Sequence, residues 1–174
     1  MKQLSIRRLN PETDKALFVE AWLWDHVDVP RWYREMDRVF RPEAFEDFLK
    51  LAHGEDQADI GVFENDKLVG LITLSMRAKG MFEAHLSAKR GASVEVLADA
   101  GIQVKEQLFR DMGMIEGCLW VARKNYHVRK LCSIIGFRDS GLRIFKGSHR
   151  GRVIDWLRLS VTRSEWEAEQ VLAA

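Results

Sequence analysis

Two neighbouring stretches hold residue types suited to chemistry. Lys89-Arg90-Gly91-Ala92-Ser93 sets two cations, a glycine and small residues between an expected strand and an expected amphipathic helix. A helix N-terminus offers unpaired backbone N–H groups and roughly half a positive charge. Gly91 lets the backbone approach a ligand closely, and Ala92 and Ser93 add little bulk. Together they describe an anion site, most simply for a phosphate or pyrophosphate. The same pentapeptide also reads as a glycine turn followed by a Ser N-cap, with two solvated charges beside it. Just upstream, period-two alternation puts Met81, Glu83, His85 and Ser87 on one strand face and Phe82, Ala84 and Leu86 on the other. Two titratable side chains, Glu83 and His85, therefore share a face.

The elements around these residues follow from periodicity and punctuation. Residues 4–9 read as a strand, and Asn10-Pro11 as the start of a helix carrying Leu17, Ala21, Trp22, Leu23 and Trp24. Pro30 ends that helix, and two more helical pieces are expected over 32–40 and 42–53. A hairpin follows, with strands over 58–64 and 67–76 joined at Asn65-Asp66. The strand over 81–88 leads through the glycine turn into a helix over 93–112, whose stripe is Val94, Leu97, Ala98, Ile102, Leu108, Phe109 and Met112. Gly113 closes it, a strand covers 115–122, and a helix over 125–135 ends at Gly136. Two last strands are expected near 142–146 and 153–161. The order β, helices, βββ, α, β, α, ββ predicts an α/β fold: a single mixed, mostly antiparallel sheet flanked by helices.

Composition narrows the function classes. A chain of 174 residues with 47% hydrophobic and 30% charged content suits one folded domain over 1–174. A net charge of +1 gives no global field for nucleic acid or an anionic membrane, so neither is an expected partner, and anion recognition must be local. No stretch reaches the ~18 apolar residues of a membrane span, and the N-terminus lacks a signal-type apolar run. Cys118 and Cys132 lie in apolar contexts far from metal-type spacing, so no metal is expected and both thiols read as reduced and buried. A cytoplasmic protein is the expectation.

The element order, with an anion-type turn entering the helix after the third consecutive strand, resembles the GNAT family of N-acetyltransferases. Three further stretches carry the likeness. Asp66-Lys67-Leu68-Val69-Gly70-Leu71-Ile72 is similar to the family's hairpin; Asn125 followed by Leu131-Cys132-Ser133-Ile134-Ile135-Gly136-Phe137 is similar to its helix and exit; and Leu157-Arg158-Leu159-Ser160-Val161-Thr162-Arg163-Ser164-Glu165-Trp166 is similar to its closing strand. The resemblance runs over about residues 4–167. It implies a GNAT-like acyl-CoA N-acyltransferase fold and direct acetyl transfer from acetyl-CoA to a primary amine, on a small molecule or a peptide, in a ternary complex. The alternative is a GNAT-fold module that binds CoA weakly or not at all and acts through protein contacts. The family often dimerises, which leaves a homodimer open.

Site residues follow from the same resemblance. Leu86, Ser87 and Ala88 would line the pantetheine arm, and Lys89, Arg90, Gly91, Ala92 and Ser93 the pyrophosphate. The turn departs from the family's, with Ala88 at the Gln/Arg position if Gly91 fills the first glycine. Asn125 would contact the cofactor, or simply cap its helix. Arg129 and Lys130 would reach a CoA phosphate, or form a solvated face. Glu83 resembles the family's strand base, with a cross-strand ion pair as its other reading; His85 is a base or a packed histidine. Cys132 stands where the family's acid tyrosine stands, and reads either as a weak acid or as a small core residue. Tyr126 is a second source of a phenol. Trp22, Trp24, Trp32, Tyr33 and Phe40 fall in the segment that walls the acceptor cleft, or else in the core.

Overall fold

The structure is a computed structural model that describes residues 3–24, 56–147 and 153–173. The helices expected over 32–40 and 42–53, with Trp32, Tyr33 and Phe40, lie outside the described residues. The described elements are β1 (Leu4–Arg8), α1 (Lys15–Leu23), β2 (Gln57–Glu64), β3 (Lys67–Arg77), β4 (Met81–Ala88), α2 (Val94–Arg110), β5 (Glu116–Ala122), α3 (Tyr126–Ile135), β6 (Arg138–Gly147), β7 (Val153–Thr162) and α4 (Arg163–Ala173). They form one seven-stranded sheet in the order β1-β2-β3-β4-β5-β7-β6. Every neighbouring pair is antiparallel except β4 and β5, which run parallel.

The alternation seen in the sequence sorts side chains between two layers. On one face Val62, Ile72, Leu74, Phe82, Val121, Leu157, Leu159 and Val161 meet Leu97, Val104, Leu108 and Phe109 of α2 and Leu131 and Ile135 of α3. Phe109 sits between Phe82 and the α4 residue Trp166, each ring centroid 5.8 Å away. On the opposite face Phe18, Ala21 and Trp24 cover Phe63, Leu68 and Leu71.

Four boundaries differ from expectation, each for a local reason. α1 starts at Lys15 rather than at Pro11. The Asn10 side chain accepts from Glu12 N at 2.8 Å, holding a turn, while the Asp14 carboxylate takes both Arg7 guanidinium nitrogens at 3.0 and 2.8 Å. β6 starts at Arg138, because Gly141 does not break the strand: it bulges at φ 78°, its N–H donating to Asp139. The helix expected over 93–112 stops at Arg110. The chain after Thr162, expected only as the end of a strand, turns into α4. There Glu165 accepts from Thr162 N at 2.7 Å and Glu165 N donates back to the Thr162 hydroxyl at 3.2 Å, a capping box.

Candidate active site

The parallel pair is where the sheet opens. Its register holds three residue pairs, Met81–Glu116, Phe82–Gly117 and Glu83–Cys118, and then ends, although β4 runs on to Ala88 and β5 to Ala122. Beyond Glu83 the edge of β4 is no longer paired to β5, while its other edge stays paired to β3 as far as Ala88 opposite Gly70. The base of this fork is pinned by packing. Gly117 has no side chain because the buried Phe82 ring occupies the space a Cβ would need.

Because β4 and β5 are parallel, the helices that follow them, α2 and α3, both begin at the open end of the fork. Ligands of parallel sheets bind at such a place, where helix N-termini converge on the carboxyl ends of strands. At α2, Ala92 N donates to Lys89 O at 3.0 Å and Gly91 stands at φ 83°. That is the third position of a type II turn, which calls for glycine. Among the described residues, no heavy atom apart from those of its chain neighbours lies within 4 Å of where a Gly91 Cβ would be, which leaves room for a ligand on this side of the turn. Ser93 caps α2, its hydroxyl accepting from Val96 N at 3.5 Å and donating to Glu95 at 2.6 Å. Lys89 is tied to Glu20 of α1 at 3.1 Å, and Arg90 is exposed. Both readings of the pentapeptide therefore coexist: it is a capped turn, and it leaves an open cradle at a helix N-terminus.

At α3, Asn125 caps the helix by accepting from Val128 N at 3.3 Å. Arg129 donates to Arg123 O at 3.3 Å and lies 5.8 Å from the Tyr126 ring, which is 70% exposed. Arg129 thus fastens the strand-to-helix corner, and Lys130 is exposed. Cys132 faces the core between Leu131 and Ile135, and burial pushes its thiol up to about 12. A thiol held that firmly in its protonated form is a poor proton donor, so its reading as an acid gives way to its reading as a core residue. Trp24 is likewise corrected from the acceptor wall to the buried cluster under α1.

The face of the fork that looks away from α2 carries the polar side chains. Glu83 is bonded to Arg77 at 3.0 Å, which is its cross-strand ion-pair reading. His85, the next residue on that face, is exposed at the point where β4 and β5 part. Opposite Glu83, Cys118 is buried, and burial pushes its thiol up against the pull of nearby Arg158. Arg158 in turn holds Glu116 at 2.7 Å. Sequence reasoning did not single out Arg158 or Asp59; the second is a carboxylate 2% exposed that accepts from the Thr73 hydroxyl at 2.6 Å. An Asp in the middle of an apolar strand, Ala58-Asp59-Ile60, was the available signal.

No family model matches the chain, and no curated protein matches it. Solved structures do. A spermidine N-acetyltransferase from Vibrio cholerae, in complex with CoA and spermine, aligns at TM-score 0.71 and 18% identity over 94% of this chain and 98% of that one. A probable acetyltransferase from Staphylococcus epidermidis aligns at TM-score 0.71 and 19% identity, over 92% and 99%. The chain has the GNAT fold. At 18–19% identity the likeness is one of overall fold. Among the described residues no helix is long and apolar enough to cross a membrane, and no group of His, Cys, Asp and Glu is placed to hold a metal ion.

Proposed function

We propose that this protein is an N-acetyltransferase that moves the acetyl group of acetyl-CoA to a primary amine by direct attack. The observation that carries the reading is the fork: a parallel strand pair that ends after Glu83–Cys118, with two helix N-termini at its open end. The edge of β4 over Leu86, Ser87 and Ala88 suits the amide groups of a pantetheine arm, and the open side of Gly91 suits its pyrophosphate. Lys89 and Arg90 add charge, with Asn125 and Arg129 fixing the facing corner. A GNAT-fold neighbour is named as being in complex with CoA and spermine, which supports acetyl-CoA as the cosubstrate.

The amine nitrogen attacks the thioester carbonyl carbon, the C–S bond breaks, and CoA leaves as its thiolate. The proton shed by the amine passes to a base on the polar face, His85 or Glu83, directly or through water. Alignment in the fork supplies most of the acceleration. The acceptor is a small-molecule or peptide amine.

One observation favours the second reading, a fold that binds CoA weakly and works through protein contacts: the Glu95 carboxylate lies at the start of α2, where a phosphate would compete with it. Isothermal titration with acetyl-CoA, followed by a thiol-release screen of polyamines, aminoglycosides, amino acids and peptides, separates the two. Binding with amine-dependent CoA release is expected; no heat of binding at millimolar acetyl-CoA would overturn the enzyme reading.

A further inference from the structure

The corner that leads from β5 into α3 carries Arg123, Lys124, Arg129 and Lys130, and no aspartate or glutamate occurs between Glu116 and Asp139. Carboxylates, not cations, stabilise the start of a helix, and α3 has no acid in its first turn. These charges therefore do not serve the helix. A further guanidinium arrives from β6, as Arg123 and Arg143 meet the same Asp155 oxygen at 3.2 and 3.8 Å. Among the described residues Asp155 is the one carboxylate in an ion pair with this cluster, which keeps an excess of positive charge.

Tyr126 stands amid these charges with 70% of its surface exposed, and the Arg129 guanidinium lies 5.8 Å from its ring centre. An aromatic ring left in water beside a guanidinium is a platform on which a nucleobase can stack. The backbone beneath is tied down. Arg123 N donates to Asp155 O and Asn125 N to Ala122 O, each at 2.8 Å, and the Arg129 side chain donates to Arg123 O at 3.3 Å.

Helix geometry relates this corner to the Gly91 turn. A Cβ added to Gly101 would stand 2.5 Å from Ile135, so α2 and α3 touch there. Counting back at ~1.5 Å per residue puts Val94 about 10 Å and Tyr126 about 13 Å from that contact. Both helices follow parallel strands, so they start at nearly one level, with axes about 8–10 Å apart where they pack.

We propose that this corner receives the nucleotide end of acetyl-CoA, the adenine stacking on Tyr126 and the ribose 3′-phosphate lying between Lys124 and Lys130. The inference rests on the acetyl-transfer reading and on the pyrophosphate sitting at Gly91. CoA carries its adenine and its 3′-phosphate on the ribose that follows the pyrophosphate. A pyrophosphate at the α2 turn thus leaves both groups one sugar away, beside the start of α3.

Isothermal titration of the full chain with acetyl-CoA and with its 3′-dephospho form tests the corner. The wild type should prefer acetyl-CoA by about tenfold, the scale of hydrogen bonds to a charged group. The double variant Lys124→Gln/Lys130→Gln, altered at two exposed positions, should bind both forms equally and as weakly as the wild type binds the dephospho form. Tyr126→Ala should weaken both forms at least fivefold, the size of a lost base stack, whereas Tyr126→Phe should retain them. Equal affinities in the wild type, a preference that survived the double substitution, or a Tyr126→Ala chain that bound like the wild type would overturn the proposal. Each of those results still has acetyl-CoA bound and leaves the acetyl-transfer reading standing. If the wild type bound neither form at millimolar concentration, both would fall together.

Discussion

A carboxylate that must collect a proton from an ammonium competes with whatever already neutralises it. Glu83 is held by Arg77 at 3.0 Å, both groups partly in solvent, so its lone pairs are committed to a guanidinium. Among the described residues His85 has no such ion-pair partner, and it is the next residue on that face, where β4 and β5 part. The sequence-based expectation made Glu83 the stronger base; the geometry moves that role toward His85. Replacing His85 by Gln should therefore lower kcat/KM at saturating acetyl-CoA by about 10²-fold, the scale of one general base. Glu83→Gln should cost less than about tenfold and leave acetyl-CoA affinity unchanged. Steady-state kinetics on the two variants decides between them, and the reverse ranking would return the base to Glu83.

At the scale of elements, what the sequence made legible and what it did not can be traced to particular residues. The span of β4 was read to the residue, because Met81–Ala88 alternates without interruption and its inward residues are apolar. The two helix N-caps at the fork, Ser93 and Asn125, were equally plain, since each is a polar residue just before a periodic apolar stripe. The pairing of Asp59 with Thr73 was hidden by one bulge. Counting back from the Asn65-Asp66 turn sets Phe63 against Leu68 and, uninterrupted, would set Asp59 against Ile72. The register shift after Phe63 skips Val69 and brings Asp59 opposite Thr73 instead. A bulge of that kind depends on packing, as beside it at Gly70, where an added Cβ would stand 2.8 Å from the Leu97 side chain. The parting of β4 and β5 is likewise tertiary, and no local pattern announces it. α4 was missed although its signal was present, as Thr162 and Glu165 have capping-box spacing. That box yields a prediction. Hydrogen bonds from the Thr162 N–H first, and then from its hydroxyl, hold the Glu165 carboxyl below its ordinary value of 4.5. A carboxylate depressed in the folded state stabilises above its unfolded value and loses that contribution as pH falls through the folded one. Thermal melts should thus show Glu165→Ala less stable by about 1 kcal/mol at pH 7, the size of a lost cap. The gap between variant and wild type should close below pH 4.5, and a gap that persisted at pH 2 would remove the carboxylate from the account.

For the molecule as a whole, the fork divides the sheet into a half led by the β1–β4 meander and a half made of β5, β7 and β6, and only three residue pairs join them within the sheet. Further ties across the division are the hydrogen bond that Ile115 N donates to Gly80 O at 2.8 Å and side-chain packing, above all Phe82 over Gly117 and the Phe82–Phe109–Trp166 cluster. α2 and α3 also close on one another there, since a Cβ on Gly101 would stand 2.5 Å from Ile135. A ligand lying in the fork would touch both halves, with β4 and the α2 N-terminus on one side and the α3 corner on the other, so its binding should stabilise the fold cooperatively. At a hundred times its Kd, acetyl-CoA should add about 2.7 kcal/mol to the unfolding free energy. For a chain of 174 residues, each kcal/mol is worth about 2–4 °C, so the melting temperature should rise by roughly 5–10 °C. Gly91→Val tests where that energy arises. At φ 83° a branched residue is strained, and its side chain would project into the open side of the turn, where the pyrophosphate is proposed to sit. Tenfold weaker binding, about 1.4 kcal/mol, is expected, which at the same acetyl-CoA concentration leaves roughly half of the rise. Each protein is compared with its own unliganded melt, so any intrinsic loss of stability in the variant cancels. An undiminished rise in Gly91→Val would place the phosphates elsewhere, and no rise in the wild type would leave the fork without this ligand.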